Sequence, residues 1–353
     1  MVETEVYLSA MSTLIPCPPV LFIVYRRPET TRRVFEAIRQ ARPAKLFISQ
    51  EAPRPDRPEQ LAAHKEVREI VAAVDWPCEV HTLFFETYQG IIPGFTASFN
   101  WFFEHVEEGV MLEDDEIPDP TFFRFCAEML EKYRHDERIM SISGSNVLQH
   151  YEKPYRDNSY YFLSVPSVWG MATWRRAWKH YDSNVTRWPE VRDSKLLYEV
   201  LPSTASAFYF SQKFQGYYEH KTPSWDGQWV FACLVNKGLT IYPNRNLISN
   251  IGFNNADAFH GVLADPLWGD LAVEPLSFPL VHPLKVAVNK VWDEYGVRAR
   301  YRRVDFGWTQ KMKWLFKSSF PDSYIAIKRF YYKVLFPKKF AEYNHVDERV
   351  FLP

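Results

Sequence analysis

Predominantly apolar runs of strand length alternate with amphipathic helical patterns through residues 19–145, and a chain written this way has few ways to fold. PVLFIVY (19–25), KLFIS (45–49), CEVHTLFF (78–85), GVMLE (109–113) and RIMSISG (138–144) read as strands, the first nearly continuous in apolar character, as a strand buried on both faces is. Between them lie helical patterns. RRPETTRRVFEAIRQARP places Pro28 in a first helical turn and Val34, Phe35 and Ile38 on one face. Leu61, Val67, Ile70, Val71 and Val74 recur at helical spacing, and FTASFNWFFEHVEE (95–108) carries Phe99, Phe102, Phe103 and Val106 as a core stripe. The Pro-rich EAPRPDRPEQ (51–60) reads as a surface loop. Such alternation implies an α/β fold with a doubly wound, mainly parallel central sheet flanked by helices. Ligands of these sheets bind beyond the carboxyl ends of the strands.

At that edge the fourth strand runs into EDDEIPD, residues 113–119. Asp119 before Pro120 reads as an N-cap, and Glu116 as a solvated side chain. Glu113, Asp114 and Asp115 are harder to place, because consecutive carboxylates repel one another unless a cation holds them. Mg²⁺ or Mn²⁺ bound through one carboxylate and completed by a diphosphate is one solution. An exposed acidic turn is the other.

The second half is less regular. SYYFLSVPSVWGMATWRRAWKHYD (159–182) reads as a strand, a Gly-containing turn and a short aromatic helix, with Trp174, Arg175 and Trp178 covering the core. Residues 182–220 show weak periodicity, as a mobile loop or an acceptor-binding insertion would. SWDGQWVFACLVNKG (224–238) reads as a helix with Asp226 at its start and Gly238 as its C′ residue, and LTIYP (239–243) as a further strand. From residue 296 to 340, twelve Lys and Arg face only Asp305 and Asp322 and are interleaved with aromatic residues. A basic, aromatic, helical appendage of this kind suits an anionic membrane surface; packing on the domain with solvated lysines is the alternative.

Composition narrows the class. A formal net charge of −1 argues against nucleic acid as an obligate partner, and the tail has no recognised reading motif. Aromatic residues make up 17 % of the chain, enough to line a carbohydrate or nucleotide site as well as a core. Cys17, Cys78, Cys126 and Cys233 form no CxxC pair, which fits a reducing, cytoplasmic compartment. MVETEVYLSAMSTLIP lacks the basic-then-apolar order of a signal peptide, and no apolar run approaches the roughly 20 residues that span a bilayer. The expected location is therefore cytoplasmic, peripheral on the inner membrane face if the tail binds it.

Taken in order, PVLFIVYRRPETTRRVFEAI, LFISQE, YQG, VMLEDDEIPDPTFF, SVPSVWGMATWRRAW, SWDGQW and NLISNIGF resemble the GT-A glycosyltransferases. The chain is similar to a bacterial group of sugar transferases and, more distantly, to the animal Golgi N-acetylglucosaminyltransferases that begin complex N-glycans. The likeness covers residues 18–290, leaving residues 1–17 as an extension and 291–353 as the basic aromatic tail.

The resemblance implies a metal-dependent, inverting transferase that uses a nucleotide-diphosphate sugar, a UDP-sugar first, and a glycan or lipid-linked glycan acceptor. In the family's EDD motif the last acid, Asp115, binds the metal, while Glu113 and Asp114 face the donor's sugar and ribose. Arg27 is expected near the base, as is Glu51, where the family usually has Asp. Phe85 stands where the Golgi enzymes have a His five residues before the Gly matched by Gly90, and IIPGF replaces the small and basic residues that follow it in bacterial relatives. Trp169, Gly170 and Trp225 match the acceptor side, Asp226 the catalytic base, and His260 a ligand that approaches the metal or diphosphate.

A nucleotide- or carbohydrate-binding protein that kept the fold and lost turnover is the alternative from another class. A sugar-phosphate nucleotidyltransferase needs a Gly-rich loop after the first strand, and YRRPETT has no glycine.

Overall fold

A computed structural model describes residues 16–149, 157–252 and 271–301. His260 and the tail beyond Tyr301 lie outside the described residues.

Eight strands form one sheet in the order β3-β2-β1-β4-β8-β6-β9-β7. These are β1 Val20–Val24, β2 Lys45–Gln50, β3 Glu79–Phe84, β4 Glu108–Glu113, β6 Ile139–Ser143, β7 Tyr160–Leu163, β8 Met171–Trp174 and β9 Leu239–Pro243. β3, β2, β1 and β4 are mutually parallel, as are β6 and β9; β8 runs antiparallel between β4 and β6, and β7 antiparallel on β9. The result is a mixed α/β, Rossmann-like fold with a mostly parallel sheet. β5 (Glu116–Pro118) and β10 (Ile248–Asn250) form a separate antiparallel pair, with Asn250 opposite Glu116.

The longer helices are α1 Pro28–Ala41, α2 Leu61–Ala72, α3 Ile91–His105, α4 Pro120–Lys132, α5 Thr204–Tyr218, α6 Asp226–Val235 and α7 Lys290–Arg300. Pro28 opens α1, whose first turn is held by the Thr30 and Thr31 hydroxyls donating to the Arg27 carbonyl at 3.2 and 2.7 Å. Asp119 caps α4 by accepting the Thr121 N–H at 2.8 Å, as the Asp-Pro pair suggested. One face of the sheet buries Val20, Phe22, Val34, Ile38, Leu112 and Phe122, among others; the other buries Leu21, Phe47, Phe99, Phe102 and Trp229.

Several expectations are corrected. Residues 182–220 are helical: Trp188–Asp193 and Leu196–Val200 precede α5, and Trp188, Leu197, Phe210 and Phe214 make a core of their own with Val230, Phe231 and Leu234 of α6. Short helices broken by Ser194 and Pro202 cannot show a long 3.6-residue period, which hid them. Helix α3 begins four residues before FTASF, because the Gly90 turn is fixed from outside the segment. After α6 it is Lys237, at φ +54°, that turns left-handed; Gly238 is required for closeness, since a Cβ there would lie 2.3 Å from Met140 Sδ.

Helix α7 docks into the domain through buried Trp292, Asp293 and Val297. All four cysteines are free thiols. Among the described residues no helix is long and apolar enough to cross a membrane.

Candidate active site

The strand order reverses at β1: the chain proceeds outward through β2 and β3, then returns to place β4 on the other flank of β1. A crevice outside the carboxyl ends forms at such a reversal. Tyr25, Arg26 and Arg27 leave β1 at this point, and Glu113 to Asp115 leave β4 beside them, with Ile23 in register with Glu113.

The cation among these acids is Arg27. Its Nη1 donates to Asp115 Oδ2 at 2.6 Å and its Nη2 to Asp114 Oδ1, while the Tyr25 N–H reaches Asp114 Oδ2 at 3.3 Å. Asp114 and Asp115 are buried, at 2 % and 8 % exposure, so the turn is not the solvated cluster it resembles in sequence. Burial lowers the Arg27 pKa, but the two carboxylates raise it further, so the guanidinium stays charged. Burial pushes Asp114 up to about 6 against the pull of Arg27. Gly252, just after β10, closes on the pair: a Cβ there would stand 1.9 Å from Asp115 Oδ2 and 3.0 Å from Arg27 Nη1.

Glu116, expected to be solvated, is wholly buried. Its Oε2 accepts the Gly170 N–H at 3.1 Å and the Glu113 N–H at 3.2 Å, and its Oε1 has no partner among the described residues. Burial, then the Asp115 charge, push its pKa up to about 8, well above the usual carboxylate range. Half-buried Glu113 is raised as well, by burial and by Glu116. The sequence hid Glu116 because its burial comes from β5 pairing with β10, more than a hundred residues later. Gly170 itself adopts φ +60°, and a Cβ there would be 2.4 Å from Ile248 Cγ1. Trp169 packs partly buried against the core, with the Arg300 guanidinium 6.0 Å from its ring centre.

Glu51 occupies the neighbouring strand end. Its carboxylate accepts backbone N–H groups of Ala52, Gln89 and Gly90 at 2.8, 3.0 and 3.0 Å. It thereby builds the turn in which Gly90, at φ +86°, starts α3. Phe85 follows β3, its N–H donating to the Gln50 carbonyl at 3.1 Å. Two rings at this edge went unnoticed in sequence: Tyr25 and the exposed Tyr88, whose centres are 6.4 Å apart. A Tyr next to a strand end has no local signature separating it from core.

Asp226 reaches the same edge by another route. Gly94 in the first turn of α3 abuts Glu51, and Phe95, next in sequence, stacks on Trp225 at 4.9 Å and 12°. Trp225 is buried in that stack, 5 % exposed, and Asp226 emerges from it exposed. Asp226 is not the N-cap; Trp225 holds that position and Asp226 begins the helix. The Ser224 hydroxyl accepts the Gly227 N–H at 3.2 Å and donates to Asp226 Oδ1. Asp182, a nearby carboxylate, is occupied in its own turn: it accepts from Asn184 N, Thr186 N and Thr186 Oγ1.

A divalent ion does not fit this arrangement. The carboxylates that would hold it, Asp114 and Asp115, are bridged by Arg27, and Gly252 covers Asp115.

Comparison with protein families and with curated proteins finds no match. Solved structures that align with part of this chain include HddC from Yersinia pseudotuberculosis, at 6 % identity and TM-score 0.23, over 42 % of this chain and 60 % of that one. The chain thus spans under two thirds of HddC. A UDP-glucose pyrophosphorylase complexed with UDP-glucose aligns at 8 % identity and TM-score 0.30 over 64 % of this chain and 90 % of that one. Overlap of this extent carries no inference about what the chain binds.

Proposed function

We propose that this chain transfers a sugar from a nucleoside-diphosphate donor, a UDP-sugar first, to a hydroxyl of a glycan or lipid-linked glycan acceptor. The observation that supports this best is the meeting of Arg27 with Asp114 and Asp115 at the β1/β4 reversal. A built, charged cluster at that point suits the diphosphate end of a nucleotide. Tyr25 and Tyr88 offer ring faces for a base, and the rigid Gly90 turn held by Glu51 borders them.

In this reading the chain's residues divide the work. Arg27 and the backbone after β1 hold and orient the leaving diphosphate. Asp226, exposed and fixed through Oδ1 by Ser224, takes the acceptor hydroxyl proton while that oxygen attacks C1 on the face opposite the leaving group, giving inversion. Trp169 and the Gly170 turn border the acceptor side. Residues 296–340 bring the domain to an anionic membrane surface that carries the acceptor.

Thermal unfolding with UDP, GDP, CMP and dTDP tests the donor reading directly. One of them should raise the midpoint in wild type and not in Asp115→Ala. If none does, the donor assignment falls.

A further inference from the structure

We propose that Arg27, and not a divalent ion, is the resident cation of the acidic turn, with Asp114 and Asp115 serving to position it. Two buried carboxylates adjacent in sequence need a positive charge, and the structure supplies one from the chain. The guanidinium is planar and permanently charged, so it bridges both acids in a way a point charge cannot.

Its surroundings favour permanence. Arg27 retains 22 % side-chain exposure while Asp114 and Asp115 retain 3 % and 12 %, so the guanidinium is the solvent-accessible member of the group and the acids are its buried partners. The Tyr25 N–H holds the second oxygen of Asp114, and Gly252 covers Asp115 from the β10 side. An ion entering at Asp115 must displace the guanidinium and then sit beside the freed positive charge. With Nη1 and Nη2 each committed to one acid, further N–H groups of the five on a guanidinium remain for acceptors in the crevice. Phosphate oxygens are the acceptors such a fork matches best. This last step rests on the donor reading above; the assignment of the cation does not.

Mn²⁺ titration followed by electron paramagnetic resonance reads the cation directly, with no nucleotide present. Wild type should take up Mn²⁺ no more tightly than Asp115→Asn, whereas Arg27→Met should bind it at least about tenfold more tightly than wild type. That gain should vanish in the double variant Arg27→Met/Asp115→Asn. Should Arg27→Met fail to fold, Arg27→Lys replaces it: an ammonium keeps the charge but spans one carboxylate, and a smaller gain is expected. One Mn²⁺ held by wild type as tightly as by the Arg27 variant overturns the proposal.

UDP, GDP and dTDP titrated calorimetrically, with EDTA and with Mn²⁺, separate the two claims. A diphosphate that binds wild type equally in EDTA and loses at least about tenfold in Arg27→Met supports both. Binding that requires Mn²⁺ overturns the cation assignment and keeps the donor reading. Binding by none removes the donor reading, and the Mn²⁺ comparison still decides Arg27.

Discussion

Glu51 Oε2 accepts the Gly90 N–H at 3.0 Å, joining the end of β2 to the first residue of the turn that launches α3. With the Ala52 and Gln89 N–H groups on Oε1, one carboxylate fixes the backbone on which Phe95, and through it Trp225 and Asp226, is carried. Burial raises the Glu51 pKa while these N–H groups lower it. Replacing the acid by Glu51→Gln turns an amide NH₂ toward a backbone N–H. The expected loss is about 1–3 kcal/mol in urea unfolding, and an unchanged midpoint and slope would show the turn to be held by other means.

Asp226→Asn should leave the fold intact, since the side chain is exposed at the start of α6. Donor binding should also persist. Transfer to acceptor should drop by roughly 10²- to 10⁴-fold, the range for loss of a general base. Near-normal turnover would return Asp226 to a purely local role.

Gly227 carries no Cβ because the Tyr217 ring presses on the start of α6, where a Cβ would stand 2.2 Å from Tyr217 Cζ. Gly227→Ala should cost about 1–3 kcal/mol or more through overpacking. Adding Tyr217→Ala should restore part of it, giving a non-additive cycle. Additive losses, measured by denaturant unfolding of the four proteins, would rule out this contact as the cause.

Asp293 ties α7 to the end of β7, accepting the Ser164 N–H at 3.0 Å and the Ser164 hydroxyl at 2.6 Å. Burial pushes it up from 3.8 to about 6, against the Ser164 hydrogen bonds. The folded protein therefore holds this proton when the unfolded chain has lost it. The contribution is fully present below about pH 4 and is lost as pH rises through about 6, on the order of 3 kcal/mol. Asp293→Asn should flatten the thermal midpoint across that window; an equal pH dependence in both proteins would assign it to other groups.

Strands β1 to β4, β6 and β9, helices α1, α2, α4 and α6, and the placing of EDD at the carboxyl edge were legible in the sequence. Those follow from hydrophobic period and strand order, both local or nearly so. It also marked Asp119 as a cap, because Asp-Pro-Thr states its hydrogen bond within three residues. What Arg27, Asp114, Asp115 and Glu116 do was settled by tertiary contacts. Arg27 meets Asp114 across 87 positions because β1 and β4 become neighbours, and Glu116 is buried because β10 pairs with β5. A carboxylate quoted in a sequence carries no sign of its exposure or its counter-ion; both are set by which distant backbone arrives beside it. Here that was a guanidinium from the next strand, and the cost of leaving buried charge unpaired is what holds the two together.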